Sequence, residues 1–194
     1  MKKIIFTIIS LILLSGCTDV NNTPKKQVET FFNKYQTLDS DVIKDLDRVI
    51  SEEEAFDTTA REEYRDVIKN QYKNLTYKIK DEVMEGDEAT VTTEITVTDY
   101  RKVLNGSEAY KNEHPTEFQD DSGKYDSTKY SNYVIKELKK AKDKVTYTLD
   151  LKLTRIDKKW NLNSLDEEDL DMTSSDLFNL IDSMYEKDDE DGNV

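Results

Sequence analysis

Cys17 is the only cysteine in the chain, and it stands at the end of an apolar run, in Leu13-Leu14-Ser15-Gly16-Cys17. A thiol is the side chain most readily alkylated near neutral pH. With no second cysteine it has no disulfide partner within the chain. His114 is likewise the single histidine, set in Glu113-His114-Pro115. One histidine and one cysteine cannot build the common zinc sites, so no metal is required and no cofactor is implied. The turn residues around His114 read as an exposed loop rather than as the seat of a triad base. Asp81 shares strand parity with Ile79 and Val83, and Asp99 shares it with Val97. Either could be a buried base whose pKa an apolar pocket adjusts; equally, each could mark a strand end or bulge. The acidic run at 188–191 lacks the alternating ligand spacing of a calcium loop. Acids at 166–169 and 171 suit a helix start as well as a weak cation site. No residue is assigned a catalytic role. The chain has 11 tyrosines, and Tyr100, Tyr110, Tyr125, Tyr130 and Tyr133 lie in or beside residues 105–143. They are the candidate ligand-binding residues, because tyrosine offers large contact area at low rotamer cost. Packing of a local helix is the alternative use.

The context of Cys17 is a basic start, Met1-Lys2-Lys3, then Ile4 to Leu14 almost wholly apolar, then Ser15 and Gly16. That is the plan of a secretory signal. The run is about 11 residues, roughly 16 Å as a helix, too short for a bilayer core of about 30 Å. Leu14-Ser15-Gly16-Cys17 resembles the signal of bacterial lipoproteins at every position. The resemblance implies that residues 1–16 are removed and that Cys17 becomes a lipidated N-terminus. Two acyl chains anchor stably where one binds marginally. The partner it implies first is therefore the cell membrane, with the protein facing outward.

Removing residues 1–16 leaves 26 basic against 42 acidic residues, a net charge of −16. That balance argues against nucleic acid, which needs clustered Lys and Arg, and against lying flat on an anionic membrane. Residues 17–23 are the modified cysteine and a polar tether, and residues 24–185 make one domain. Thr23-Pro24 is a helix start, and Val28, Phe31, Phe32, Tyr35 and Leu38 share one face. Asp39 or Ser40 caps a second helix bearing Val42, Leu46 and Ile50. Thr59 to Glu62 reads as the capping box of a third helix, with Tyr64, Val67, Ile68 and Tyr72 on one face. From Asn74 the period becomes 2. Leu75, Tyr77, Ile79 and Val83 alternate with polar residues. After a Gly86-Asp87 turn, Val91, Thr93, Ile95 and Val97 do the same. Val145, Tyr147, Leu149, Leu151 and Leu153 form a third strand, and Asp157-Lys158-Lys159 turns the chain into Trp160. Residues 105–143 are an insertion, loop at first and helical from Ser127. A final helix carries Leu177, Leu180, Ile181 and Met184. Residues 186–194 are an acidic tail of the kind that stays flexible.

The sequence thus predicts an α+β fold: N-terminal helices on a curved antiparallel sheet of about four strands, with a long insertion and a C-terminal helix. The helices VETFFNKYQTLD and DVIKDLDRVI and the closing pair KVTYTLDLKLTRIDKKWNLNSL resemble the nuclear-transport-factor-2-like, cystatin-like superfamily. Two functions remain open. One is a non-enzymatic binding module for a protein, peptide or envelope component. The other is a pocket enzyme of that superfamily, isomerase- or dehydratase-like, with a solute-binding lipoprotein as a third possibility.

Overall fold

The computed structural model describes residues 22–163 apart from 53 and 55. Cys17, residues 164–171, the C-terminal helix and the acidic tail expected from the sequence lie outside the described residues.

Three helices open the fold: α1 (Pro24–Gln36), α2 (Ser40–Glu52) and α3 (Thr58–Asn74). Thr23 caps α1 through its hydroxyl, which accepts from the Lys26 N–H at 3.1 Å, with Pro24 in the first turn. Proline costs nothing there, since that N–H has no helical partner anyway. Leu38, expected on the α1 face, stands beyond the helix end at φ 54°. The cap of α2 is Asp39. The cap of α3 is Asp57, whose carboxylate accepts from the Ala60 N–H at 2.8 Å. Thr59, the predicted cap, lies inside the helix, because a carboxylate two residues earlier reaches the first free N–H groups.

Four strands form one antiparallel sheet in the order β1 (Thr76–Glu85), β2 (Glu88–Thr98), β3 (Lys144–Ile156) and β4 (Lys159–Leu162). The β3–β4 turn is Asp157-Lys158, both at positive φ (49° and 65°), the conformation that matches strand twist in a two-residue hairpin. One sheet face carries Val91, Ile95, Val97, Leu149, Leu151 and Leu153 and packs on Val28, Phe32, Tyr35, Val67, Ile68 and Tyr72. The other face is threonine and charge. Thr92 donates to Asp150 at 2.6 Å, and the Thr96 and Thr146 hydroxyls meet at 2.7 Å. Gln71 of α3 bonds both the N–H and the C=O of Thr98, at 2.9 and 3.0 Å. A buried amide thereby satisfies the backbone where β2 ends.

Two expectations are corrected. The register of β1 slips between Ile79 and Asp81. Lys80 and Asp81 oppose one residue, Thr92, and a bulge of this kind reverses the parity of the residues beyond it. Val83 is therefore 51% exposed, while Glu82 pairs opposite the buried Val91. Secondly, the first half of the insertion is helical. Helix α4 (Tyr100–Glu113) begins directly after β2, and a short 3₁₀ turn at Pro115–Phe118 leads towards α5 (Ser127–Leu138).

Candidate functional site

Asp99 ends β2 and starts α4. Its carboxylate accepts from the Lys102 N–H at 3.0 Å, so the predicted inward acid is a helix cap. Asp81 points out to solvent and accepts from the Glu82 N–H at 2.9 Å. Neither is the buried base that strand parity allowed.

Helix α5 returns alongside α4, and the connection between them is tightly tied. Asp126 caps α5 by accepting from Lys129 N–H, and its own N–H donates to Phe118 O at 2.7 Å. Asp120 accepts from the Ser122 hydroxyl at 2.6 Å and from the N–H groups of Ser122 and Lys124. Those bonds, the Ser122 hydroxyl first, hold its carboxyl below the ordinary range. Gly123 sits at φ +81°, where a side chain would be strained.

This tie turns Phe118 inward, where it is 3% exposed. Rings surround it edge-on: Tyr130 at 5.3 Å, Tyr133 at 5.4 Å and Tyr110 at 6.3 Å between centroids. Tyr110 stacks on Tyr133 at 5.0 Å and meets His114 at 4.3 Å. Tyr125 flanks Tyr130 at 6.4 Å, and the Lys111 ammonium lies 4.6 Å over the Tyr130 ring. Edge-on and offset pairs of this kind suit the ring quadrupole. The Tyr110 hydroxyl donates to Glu117, and that bond raises its pKa. Tyr130 and Tyr133 are raised mainly by desolvation.

Four of the five tyrosines singled out in the sequence therefore come together: Tyr110, Tyr125, Tyr130 and Tyr133. Tyr100 does not join them. It is buried against α3, its hydroxyl donating to Val67 O at 3.2 Å. His114 is exposed, as its turn context suggested, and ends α4. Phe118 was missed. A lone aromatic among turn residues gives no period, yet its place in a Pro-to-Gly segment was the available signal.

Three grooves border α5, one of them, of about 640 Å³, lined by Asp57, Glu63, Asn132, Lys136 and Lys139. Another, of about 340 Å³, is mixed, its rings and aliphatic groups (Phe56, Tyr64, Leu104, Val134) interleaved with the polar Asn105, Glu108 and Ser131. Leu104 at its lip is 43% exposed. The third, of about 400 Å³, is charged, with Lys102, Glu137, Lys140, Lys142 and Asp143 around the buried Ser107. Lys102 pairs with Asp143 at 2.6 Å, which lowers the Asp143 carboxyl from its ordinary value. Among the described residues no group of acids, histidines or cysteines could hold a metal, and no helix is long and apolar enough to cross a membrane.

Residues 1–18 match the family described as prokaryotic membrane lipoprotein lipid attachment site. No curated protein matches the chain. Among solved structures, a protein assigned as a lipoprotein (ycdA) from Bacillus subtilis subsp. subtilis str. 168 is 20% identical, with a TM-score of 0.34. The match covers 58% of this chain and 35% of that one. The match places a lipid attachment site at the start of the chain and supports anchoring to a membrane through lipid.

Proposed function

We propose that the protein is a non-enzymatic binding module, held at the outer face of a bacterial cell membrane by a diacylglyceryl thioether on Cys17. Its partner is a protein or peptide that docks on the α4–α5 face. One observation carries this reading: Leu104, at the lip of a groove of mixed polar and apolar lining, and the neighbouring ring Tyr125 remain 43% and 57% exposed beside a packed aromatic cluster. Tyrosines fixed by mutual packing present area without further entropy loss, which favours binding. The solvent-facing Asp81 and the capping role of Asp99 weigh against a pocket enzyme, although the helix-on-sheet layering still suits a relation to the nuclear-transport-factor-2-like superfamily.

The test uses the lipidated full chain in membranes. Leu104→Lys should cut partner recovery at least tenfold relative to Met84→Lys, a still more exposed apolar site on β1 (59%). Equal recovery with the two variants would refute the assignment of the α4–α5 face. Cys17→Ala should release the protein from membranes.

A further inference from the structure

Asn22, where the described chain begins, is bound to one end of the sheet. Its side-chain N–H donates to Lys158 O at 2.6 Å, and its side-chain oxygen accepts from the Trp160 N–H at 2.9 Å. One amide thus clasps both sides of the β3–β4 turn. The β1–β2 turn is tied to the same place. The Asp87 carboxylate pairs with the Arg155 guanidinium at 2.6 Å, and the Arg155 N–H donates to Asp87 O at 2.7 Å. Arg155 also lies 5.3 Å over the Trp160 ring. The two turns and the start of α1 therefore form one fixed surface.

Among the described residues five large apolar side chains stand exposed, and Val83, Met84 and Ile156 are three of them. All three belong to this end: Met84 pairs opposite Ala89 beside the β1–β2 turn, and Ile156 opposite Lys159 at the β3–β4 turn. Residues 22–26, 83–88 and 154–160 together carry five basic and four acidic side chains, a net +1, whereas residues 17–194 carry −16. This surface is thus spared the repulsion that an anionic bilayer exerts on the chain as a whole. Cys17 lies five residues before Asn22, and that length of chain spans at most about 18 Å. Strand β2 alone, eleven residues from Glu88 to Thr98, measures roughly 35 Å. The α4–α5 insertion leaves β2 at its far end and returns to β3 at Lys144, so it starts and finishes beyond that reach. A short tether also imposes a high local concentration, at which individually weak contacts suffice.

We infer that the end of the sheet bearing the β1–β2 and β3–β4 turns is a membrane-facing surface. It docks on lipid headgroups with Val83, Met84 and Ile156 at the interface and Lys158 and Lys159 against the phosphates. The inference rests on the lipid on Cys17 proposed above and adds an orientation to it. The Asn22 clasp sets the body upright, and the α4–α5 face is displayed about one strand length away from the bilayer.

The test uses the lipidated full chain in vesicles of phosphatidylethanolamine and phosphatidylglycerol. Met84→Cys, Ile156→Cys and Lys142→Cys each supply one free thiol for a fluorophore, because Cys17 is alkylated. A quencher fixed to lipid headgroups should dim positions 84 and 156 several-fold more than position 142, which is exposed just before β3 begins at the far end. Adding Asn22→Ala should even out the three positions while the protein still floats with the vesicles. Equal quenching at all three in floating protein, or stronger quenching at 142, would overturn the orientation and leave the anchor standing. A pattern unchanged by Asn22→Ala would overturn the role of the clasp. Protein that does not float would refute the lipid on Cys17, and the inference with it.

Discussion

The body and the insertion use aromatic rings in opposite ways. In the body, Phe32, Tyr35 and Tyr72 are at most 4% exposed. Phe32 stacks on Tyr77 at 4.7 Å, and Tyr35 meets Tyr72 edge-on at 5.0 Å. Helices cover them from one side and the sheet from the other, so their contribution is to stability. In the insertion only Phe118 is buried among the rings of the cluster. Around it Tyr110, Tyr130 and Tyr133 are half-buried and Tyr125 is exposed. A single anchoring ring holds several partly wet ones in place, and the result is a surface that is stiff and still apolar. That difference is why the binding role is assigned to α4–α5 and not to the larger core.

The sharpest way to break the comparison is Phe32→Ala. Truncating a fully buried ring costs about 3–5 kcal/mol, so global unfolding by denaturant should shift by that amount. Phe118→Ala should behave differently. Amide exchange should accelerate across residues 100–138 while β2 and β3 keep their protection, because local units open below the global free energy. If Phe118→Ala instead lowered the protection of β2 and β3 as much as Phe32→Ala does, the two regions would be one cooperative unit. A smaller effect has the opposite sign. Thr93 is wholly buried on the inner sheet face, and its hydroxyl has no partner. Thr93→Val removes an unsatisfied group at nearly constant shape, so it should stabilise by about 1 kcal/mol. Calorimetry would detect the raised midpoint.

The smallest effects concern pH. The Asp143 carboxyl is lowered first by its hydrogen bond to Lys102 and then by that charge, and Asp120 is lowered by its turn bonds. Each folded pKa lies below the unfolded one. The stabilisation is therefore complete above the unfolded value, about 4, and is lost as pH falls through the folded value. Exchange of the Asp99 N–H, which donates to Asp143 O, and of the Asp120 turn should quicken below about pH 4. Exchange in α1 should not share that onset.

Legibility in the sequence divides along the same line. The body could be read because its helices repeat apolar residues at 3.6 and its strands at 2: the buried set Val28, Phe32, Tyr35 and Val91, Ile95, Val97 is what those periods pick out. The bulge could not be read. An extra residue at Lys80 leaves composition unchanged while it turns Val83 outward. The first half of the insertion was misread because Gly106 and Ser107 look like turn residues. Gly106 in fact faces open space, and Ser107 is buried where α4 meets α5. The stripe Tyr100, Val103, Ser107, Tyr110 after a capping Asp99 was there to be seen. The tyrosines were legible as a set by number, but which of them meet depends on the Asp120 and Asp126 ties, which no period encodes.

The measurement that bears most directly on the binding assignment is site-specific photocross-linking on living cells. A photoreactive residue would replace Leu104 at the groove lip in one lipidated chain and Thr92 on the open sheet face in another. The account predicts a discrete adduct of defined mass from position 104 and none from position 92. An adduct from position 92 alone would contradict it and move the binding surface to the threonine face of the sheet.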